Sequence, residues 1–196
     1  MTSIVLVPWA NTDWGEAGRM AARTPLPLND SGLKQAAEWA NELAGRELRA
    51  VYCAEEATSK QVAQLLASRA EVRLKTVSTL EEVDVGLWEG LTSAQVESRF
   101  PKIYKRWLED PSGVCPPDGE LLGDAAQRVY QAITKIARKH NGSSVAVVLG
   151  PIALAATRSQ LEHGAAGRLH HLKANEPVWY QISDATAPQP ASAPTP

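Results

Sequence analysis

Two short aliphatic runs, Ile4–Val7 and Val145–Leu149, constrain this chain more than any other feature. Each is apolar at consecutive positions, not at every second one. A strand can be apolar on both sides only if both faces of its sheet are covered, as in a parallel sheet between helices. The sequence supplies such helices. Leu33, Ala36, Ala37, Ala40, Leu43 and Ala44 recur at helical spacing behind Asp30 and Ser31, which offer caps. Trp39 falls off that stripe. Leu48–Cys53 reads as a second strand, and residues 56–69 as a helix with Val62, Leu65 and Leu66 inward. Residues 72–77 alternate apolar and polar, which predicts a strand with one exposed side. Short helices follow over 93–100 and from Pro101. Residues 124–140 form a longer helix, ended by Asn141-Gly142. Pro151 to about His163 predicts one more helix, and Val178–Ile182 a final edge strand. Strands alternating with helices imply an α/β domain with a mostly parallel sheet.

The domain is expected over residues 1–183. Residues 184–196 lack bulky apolar side chains and carry prolines at 188, 190, 194 and 196, which predicts a disordered tail, partly polyproline II. Lys plus Arg number 20 against 22 Asp plus Glu. A nucleic-acid binder would be more basic. The longest apolar run, Val145–Ala156, is 12 residues and interrupted by Gly150 and Pro151; a membrane span needs about 20. The first residues lack a signal peptide's basic region and cleavage site. Cys53 and Cys115 make neither a disulfide framework nor a zinc spacing. The expectation is a cytoplasmic protein without membrane contact, metal or cofactor.

In open parallel sheets the site lies at the C-terminal ends of the strands. Pro8 to Trp14, Cys53 to Thr58 and Leu149 to Pro151 leave those ends, with no Gly-rich phosphate loop and no nucleophile elbow among them. One other segment is distinctive: Leu80-Glu-Glu-Val-Asp-Val-Gly-Leu-Trp-Glu-Gly90. It resembles the L-x-E-x-x-x-G-x-W-E-G segment of the histidine phosphatases, the phosphoglycerate mutase-like superfamily. Supporting matches lie in order along the chain: Pro27-Leu28, Gly32–Ala36, Val51-Tyr52, Gln61, Ala63, Tyr104, Trp107, Asp110-Pro111, Pro116–Glu120, Asp124 and Arg128-Val129. The resemblance covers residues 3–183. It implies a three-layer α/β/α sandwich.

It also implies phosphoryl chemistry. A histidine in an R-H-G segment attacks phosphorus, a second histidine and two arginines hold the phosphoryl oxygens, and a carboxylic acid protonates the leaving group. Charge is the physical reason: the transferred group is an anion and needs cationic donors aimed at its oxygens. Here Pro8-Trp9-Ala10 stands where R-H-G is expected, Thr58 where an arginine is expected, and Leu149-Gly150-Pro151 where the second histidine is expected. Glu82 matches the family's acid. The indole of Trp9 only donates a hydrogen bond and is no nucleophile. Phosphate in such a pocket would meet Glu82 in place of cations.

These departures lead to the expectation of a chain that is not an enzyme: a degenerate member, a pseudoenzyme kept as a protein-interaction or regulatory module. Its partner would be another protein, a second copy of the chain included. Two alternatives stay open. One is a small-molecule sensor whose rebuilt pocket involves Trp9, Asn11, Trp14, Cys53 and Glu82. The other is a residual phosphatase with an unorthodox nucleophile. Cys53 is expected to be an inert buried thiol, because Glu55 and Glu56 nearby would raise its pKa. The adjacent His170-His171 point to opposite sides of an extended chain and make a poor metal pair.

Overall fold

The computed structural model describes residues 1–163, 176–183 and 186–190. One sheet organises them. β1 (Thr2–Pro8) lies beside β4 (Ser144–Leu149), which pairs with β2 (Leu48–Cys53), which pairs with β3 (Arg73–Thr76); all three pairings are parallel. On the other side of β1, β5 (Val178–Ser183) runs antiparallel, and β6 (Thr186–Pro190) runs antiparallel to β5. The order is β3-β2-β4-β1-β5-β6.

Helices cover both faces, as the two aliphatic runs require. One face buries Val5, Val7, Val51 and Val148 under α2 (Asp30–Ala44) and α3 (Ala57–Arg69). The other buries Ile4, Leu6, Val145 and Val147 under α6 (Leu122–Lys139) and α7 (Pro151–His163). Successive residues of β1 thus enter opposite cores. A third cluster joins Val83, Val85 and Trp88 to α4 (Ser93–Arg99), α5 (Pro101–Glu109) and the flank of α6. The three-layer α/β/α sandwich is the observed architecture.

Trp39 departs from its sequence reading. It is 6% exposed and packs with the α3 side chains. α2 rests against α3 as well as the sheet, so its buried face is wider than one stripe. The stretch after β1 contains α1 (Asp13–Glu16), a single turn capped by the Thr12 side chain, which no periodicity announced. The final strand also differs. Val178–Ser183 is not the sheet's edge, because Thr186–Pro190, read as part of a disordered tail, pairs outside it. Prolines 188 and 190 fit a strand only at a margin, where the missing N–H faces away from the ladder. Residues 184–185 and 191–196 lie outside the described residues.

The chain leaving β1 is seated on the first turn of α2. Asn11 accepts from the Asn29 amide at 3.1 Å and its side chain donates to Ser31 Oγ at 2.9 Å. Gly32 permits this approach: a Cβ there would lie 2.0 Å from the Asn11 carbonyl oxygen. Overpacking costs about 1–3 kcal/mol, and alanine's better helix propensity returns about 1 kcal/mol. With backbone as the obstacle the upper end applies, so Gly32→Ala should lower stability by about 2 kcal/mol in denaturant unfolding. An unchanged midpoint would show that the loop and helix separate freely.

Candidate active site

The segment leaving the C-terminal end of β2 and the N-terminus of α3 border a cleft of about 860 Å³. The segment 78–84, carrying Glu82, forms one wall. Residues 22–25, the start of α3 and Glu120 with Arg128 complete it.

Glu82 is 5% exposed. Its Oε2 accepts from the Ile152 amide and its Oε1 from the Ala153 amide, both at 2.8 Å, and Oε1 also accepts from its neighbour Val83 at 2.5 Å. Ile152 and Ala153 are the first turn of α7, whose amides have no partner within the helix. The carboxyl group therefore sits where the helix dipole is most positive. Gly150 makes room for it: a Cβ there would lie 2.4 Å from Glu82 Oε2. Burial favours the neutral acid and the three amides favour the ion. Burial wins, with Glu56 adding to it, and the pKa is pushed up to about 7.

Glu56, the residue at the N-cap of α3, is the second carboxylate. Its Oε1 accepts from the Glu82 amide at 2.6 Å, while Oε2 is buried with no hydrogen-bond partner. Burial raises its pKa and the Glu81 charge adds to this; hydrogen bonds from backbone amides and Ser59 pull it back. The cleft also carries cations, each beside an acid. Arg23 meets Asp84 at 2.9 Å, Arg128 meets Glu120 at 2.7 Å, and Lys60 pairs with Glu55. Six carboxylates face three cations.

The residues picked out from the sequence distribute unevenly around this cleft. Glu82 lines it; Pro8, Trp9, Ala10, Asn11, Trp14, Cys53, Thr58 and Gly150 do not. Trp9 is half-buried against the α2–α3 core, its Nε1 donating to Ser59 Oγ at 2.7 Å. Thr58 is buried and donates to the Leu26 carbonyl at 2.7 Å. Asn11 is bound to α2 on the far side of the loop, and Trp14 lies across Gly90. Cys53 is fully buried, and burial, then Glu56, pushes its thiol up to about 12. His140 donates to or accepts from the Tyr52 hydroxyl at 2.7 Å, outside the cleft. His170 and His171 lie outside the described residues. Among the described residues, no cluster of three or more His, Cys, Asp or Glu is arranged to hold a metal ion, and no helix is long and apolar enough to cross a membrane.

Sequence reasoning missed Glu56, Arg23 and Lys60. It had counted Glu120 and Arg128 as matches without a role. Nothing local to Glu56 marks it, since its partner is a backbone amide 26 residues away.

Residues 4–183 match the histidine phosphatase superfamily, branch 1. The chain belongs to that superfamily. It is 32% identical over 180 residues to a metal-independent phosphoserine phosphatase of Arabidopsis thaliana, covering 89% of this chain and 75% of the relative. It is 27% identical over 148 residues to phosphoserine phosphatase 1 of Hydrogenobacter thermophilus, covering 76% and 70%. Against a bifunctional protein of Mycobacterium tuberculosis, 32% identical over 148 residues, the chain spans 40% of the relative's length. The fold superimposes on a phosphoserine phosphatase of Entamoeba histolytica in complex with 3-phosphoglyceric acid, with a TM-score of 0.85 at 20% identity, covering 98% of this chain and 96% of that one. These relatives correct the expectation that the chain is not an enzyme: it is similar to named phosphatases. The physical flaw in that expectation is specific. Pro8, Trp9, Thr58 and Gly150 speak only to a route through histidine, and phosphate esters have others. The cleft also holds cations that the sequence reading did not place there.

Two measurements test this geometry. Trp9→Ala removes half-buried indole packing and a hydrogen bond. It should cost about 2–3 kcal/mol in denaturant unfolding, below the 3–5 of a fully buried aromatic; a loss under about 1 kcal/mol, the surface range, would mean the indole packs on nothing. The second is pH linkage. The folded pKa of Glu82 lies above its ordinary 4.5, so the folded state binds the extra proton between these values. The group's contribution is greatest below about 4.5, declines as pH rises through 7, and is flat above. The stability difference between wild type and Glu82→Gln should change across that window by on the order of 3 kcal/mol. A difference independent of pH would show that Glu82 titrates normally.

Proposed function

We propose that the chain is a phosphomonoesterase in which water replaces histidine as the nucleophile, Glu82 is the proton donor and Glu56 the base. We read the histidine route as closed to it: by the resemblance Trp9 stands where R-H-G is expected, and its indole nitrogen donates to Ser59. The observation that carries the reading is the pair of carboxylates, Glu82 and Glu56, that line one cleft and are joined through the Glu82 amide. Glu82 has a pKa near neutrality and holds a proton it can give up. Glu56 keeps one buried oxygen with no hydrogen-bond partner.

The step balances as a hydrolysis. Water oxygen bonds to phosphorus while the bond from phosphorus to the ester oxygen breaks. The water proton goes to Glu56 and the Glu82 proton goes to the departing alkoxide. The products are an alcohol and inorganic phosphate, and the Glu56 proton returns to Glu82 through solvent. Arg23 and Lys60 line the same cleft and offset the charge of the phosphoryl oxygens. A protonated Glu82 does not repel them. The relatives named phosphoserine phosphatases support a small phosphomonoester as the substrate class.

The purified chain should release phosphate from p-nitrophenyl phosphate and phosphoserine. Positioned acid or base groups contribute roughly 10²–10⁴-fold, so Glu82→Gln and Glu56→Gln should each reduce kcat by about 100-fold or more. Activity should fall as pH rises above 7, where Glu82 loses its proton. Absence of phosphate release above buffer at millimolar substrate, or full activity in both variants, overturns the reading.

A further inference from the structure

We propose that Arg128, working with Glu120, is the positioning residue for the Glu82 acid. The inference rests on the phosphomonoesterase reading for its kinetic consequence, though not for its geometry. Both residues belong to matched motifs for which the chemistry above has no use.

Arg128 projects from α6 across the wall segment that carries Glu82. Its Nη1 donates to the Thr79 carbonyl at 3.2 Å and to the Glu81 carbonyl at 3.0 Å. Its Nη2 donates to Glu120 Oε1 at 2.7 Å. That same oxygen accepts from the Asp84 amide at 2.9 Å, and the Glu120 amide donates to the Asp84 carbonyl at 2.9 Å. The backbone is therefore held on both sides of Glu82, at 79 and 81 before it and at 84 after it. A segment that starts in one 3-10 turn, Ser78–Leu80, and is irregular from Glu81 to Val85 is thereby fixed to a helix. Only a guanidinium has enough donors, in a fixed plane, to satisfy two carbonyls and a carboxylate together.

Glu82 reaches the first turn of α7 from this fixed segment. Released from the clamp, the segment can move away from α7 and admit water to a carboxyl group now 5% exposed. The charged groups around Glu82 are Glu81 and Asp84 on its own segment, Glu55, Glu56 and Lys60 from α3 and the residues before it, Arg23 across the cleft, and Glu120 with Arg128 from α6. Their sum is acidic, so they favour the neutral acid. Hydration opposes that and moves its titration down.

Two variants of the full chain test this. Arg128→Lys keeps the charge but cannot span the three acceptors. Misplacement of a reacting group by about 1 Å costs on the order of 10²-fold. We expect kcat to fall 10-fold or more with KM within twofold, and the fall of activity on the alkaline side to begin at lower pH. Arg128→Ala should behave likewise, and added guanidinium should restore part of the rate. A separate readout needs no turnover: the pH-dependent stability difference between each variant and its Glu82→Gln double variant should move to lower pH. If wild type releases no phosphate, the phosphomonoesterase reading fails and this stability readout alone decides the clamp. A titration unmoved from the wild-type position, with only a lowered Tm, overturns it: Arg128 would then hold the fold and not the acid.

Discussion

The bond between the Glu82 carboxyl group and the first amides of α7 is the interaction around which the site is arranged. It joins a loop with no regular structure to a helix that covers the sheet. It also requires a glycine at 150, since any side chain there would occupy the same space. The consequence is a carboxyl group in a contest between burial and three backbone donors, with its pKa set by the balance. Glu56, bonded to the amide of Glu82 itself, is placed by the same contact. The loop, the helix start and the second carboxylate are therefore coupled.

The layers of the sandwich were legible because they rest on short-range patterns. Consecutive aliphatic residues in β1 and β4 could be satisfied only by helices on both faces, and α2 and α6 showed their inward faces by spacing. Trp39 escaped because its burial is due to α3, a neighbour that the periodicity of α2 does not report. Thr186–Pro190 escaped because composition argued against a strand, while pairing along one side tolerates proline.

The site was legible where a motif preserved it, at Glu82, and illegible where it depends on contacts between distant backbone groups. Glu56 is identified by the amide of residue 82, and Arg128 by the carbonyls of residues 79 and 81. Neither relation leaves a pattern in the linear chain. The inference of a non-enzyme failed for a related reason. It weighed the residue types missing from one expected set without knowing that arginine and lysine side chains from elsewhere border the cleft. Trp9 and Thr58, central to that inference, bond to Ser59 and Leu26 and do not line the cleft at all.

The two outer strands of the sheet bear on how molecules of this chain meet one another. β3 is four residues long and carries Arg73 and Lys75; β6 carries two prolines in five residues. A free strand edge is a template on which another chain can extend the hydrogen-bond ladder, and short length, basic side chains and proline each interrupt it. An approaching strand at β3 meets like charges, and one at β6 meets missing donors. Among the described residues, neither outer strand is therefore a suitable starting edge for continuous cross-molecule sheets of the kind that seed fibres.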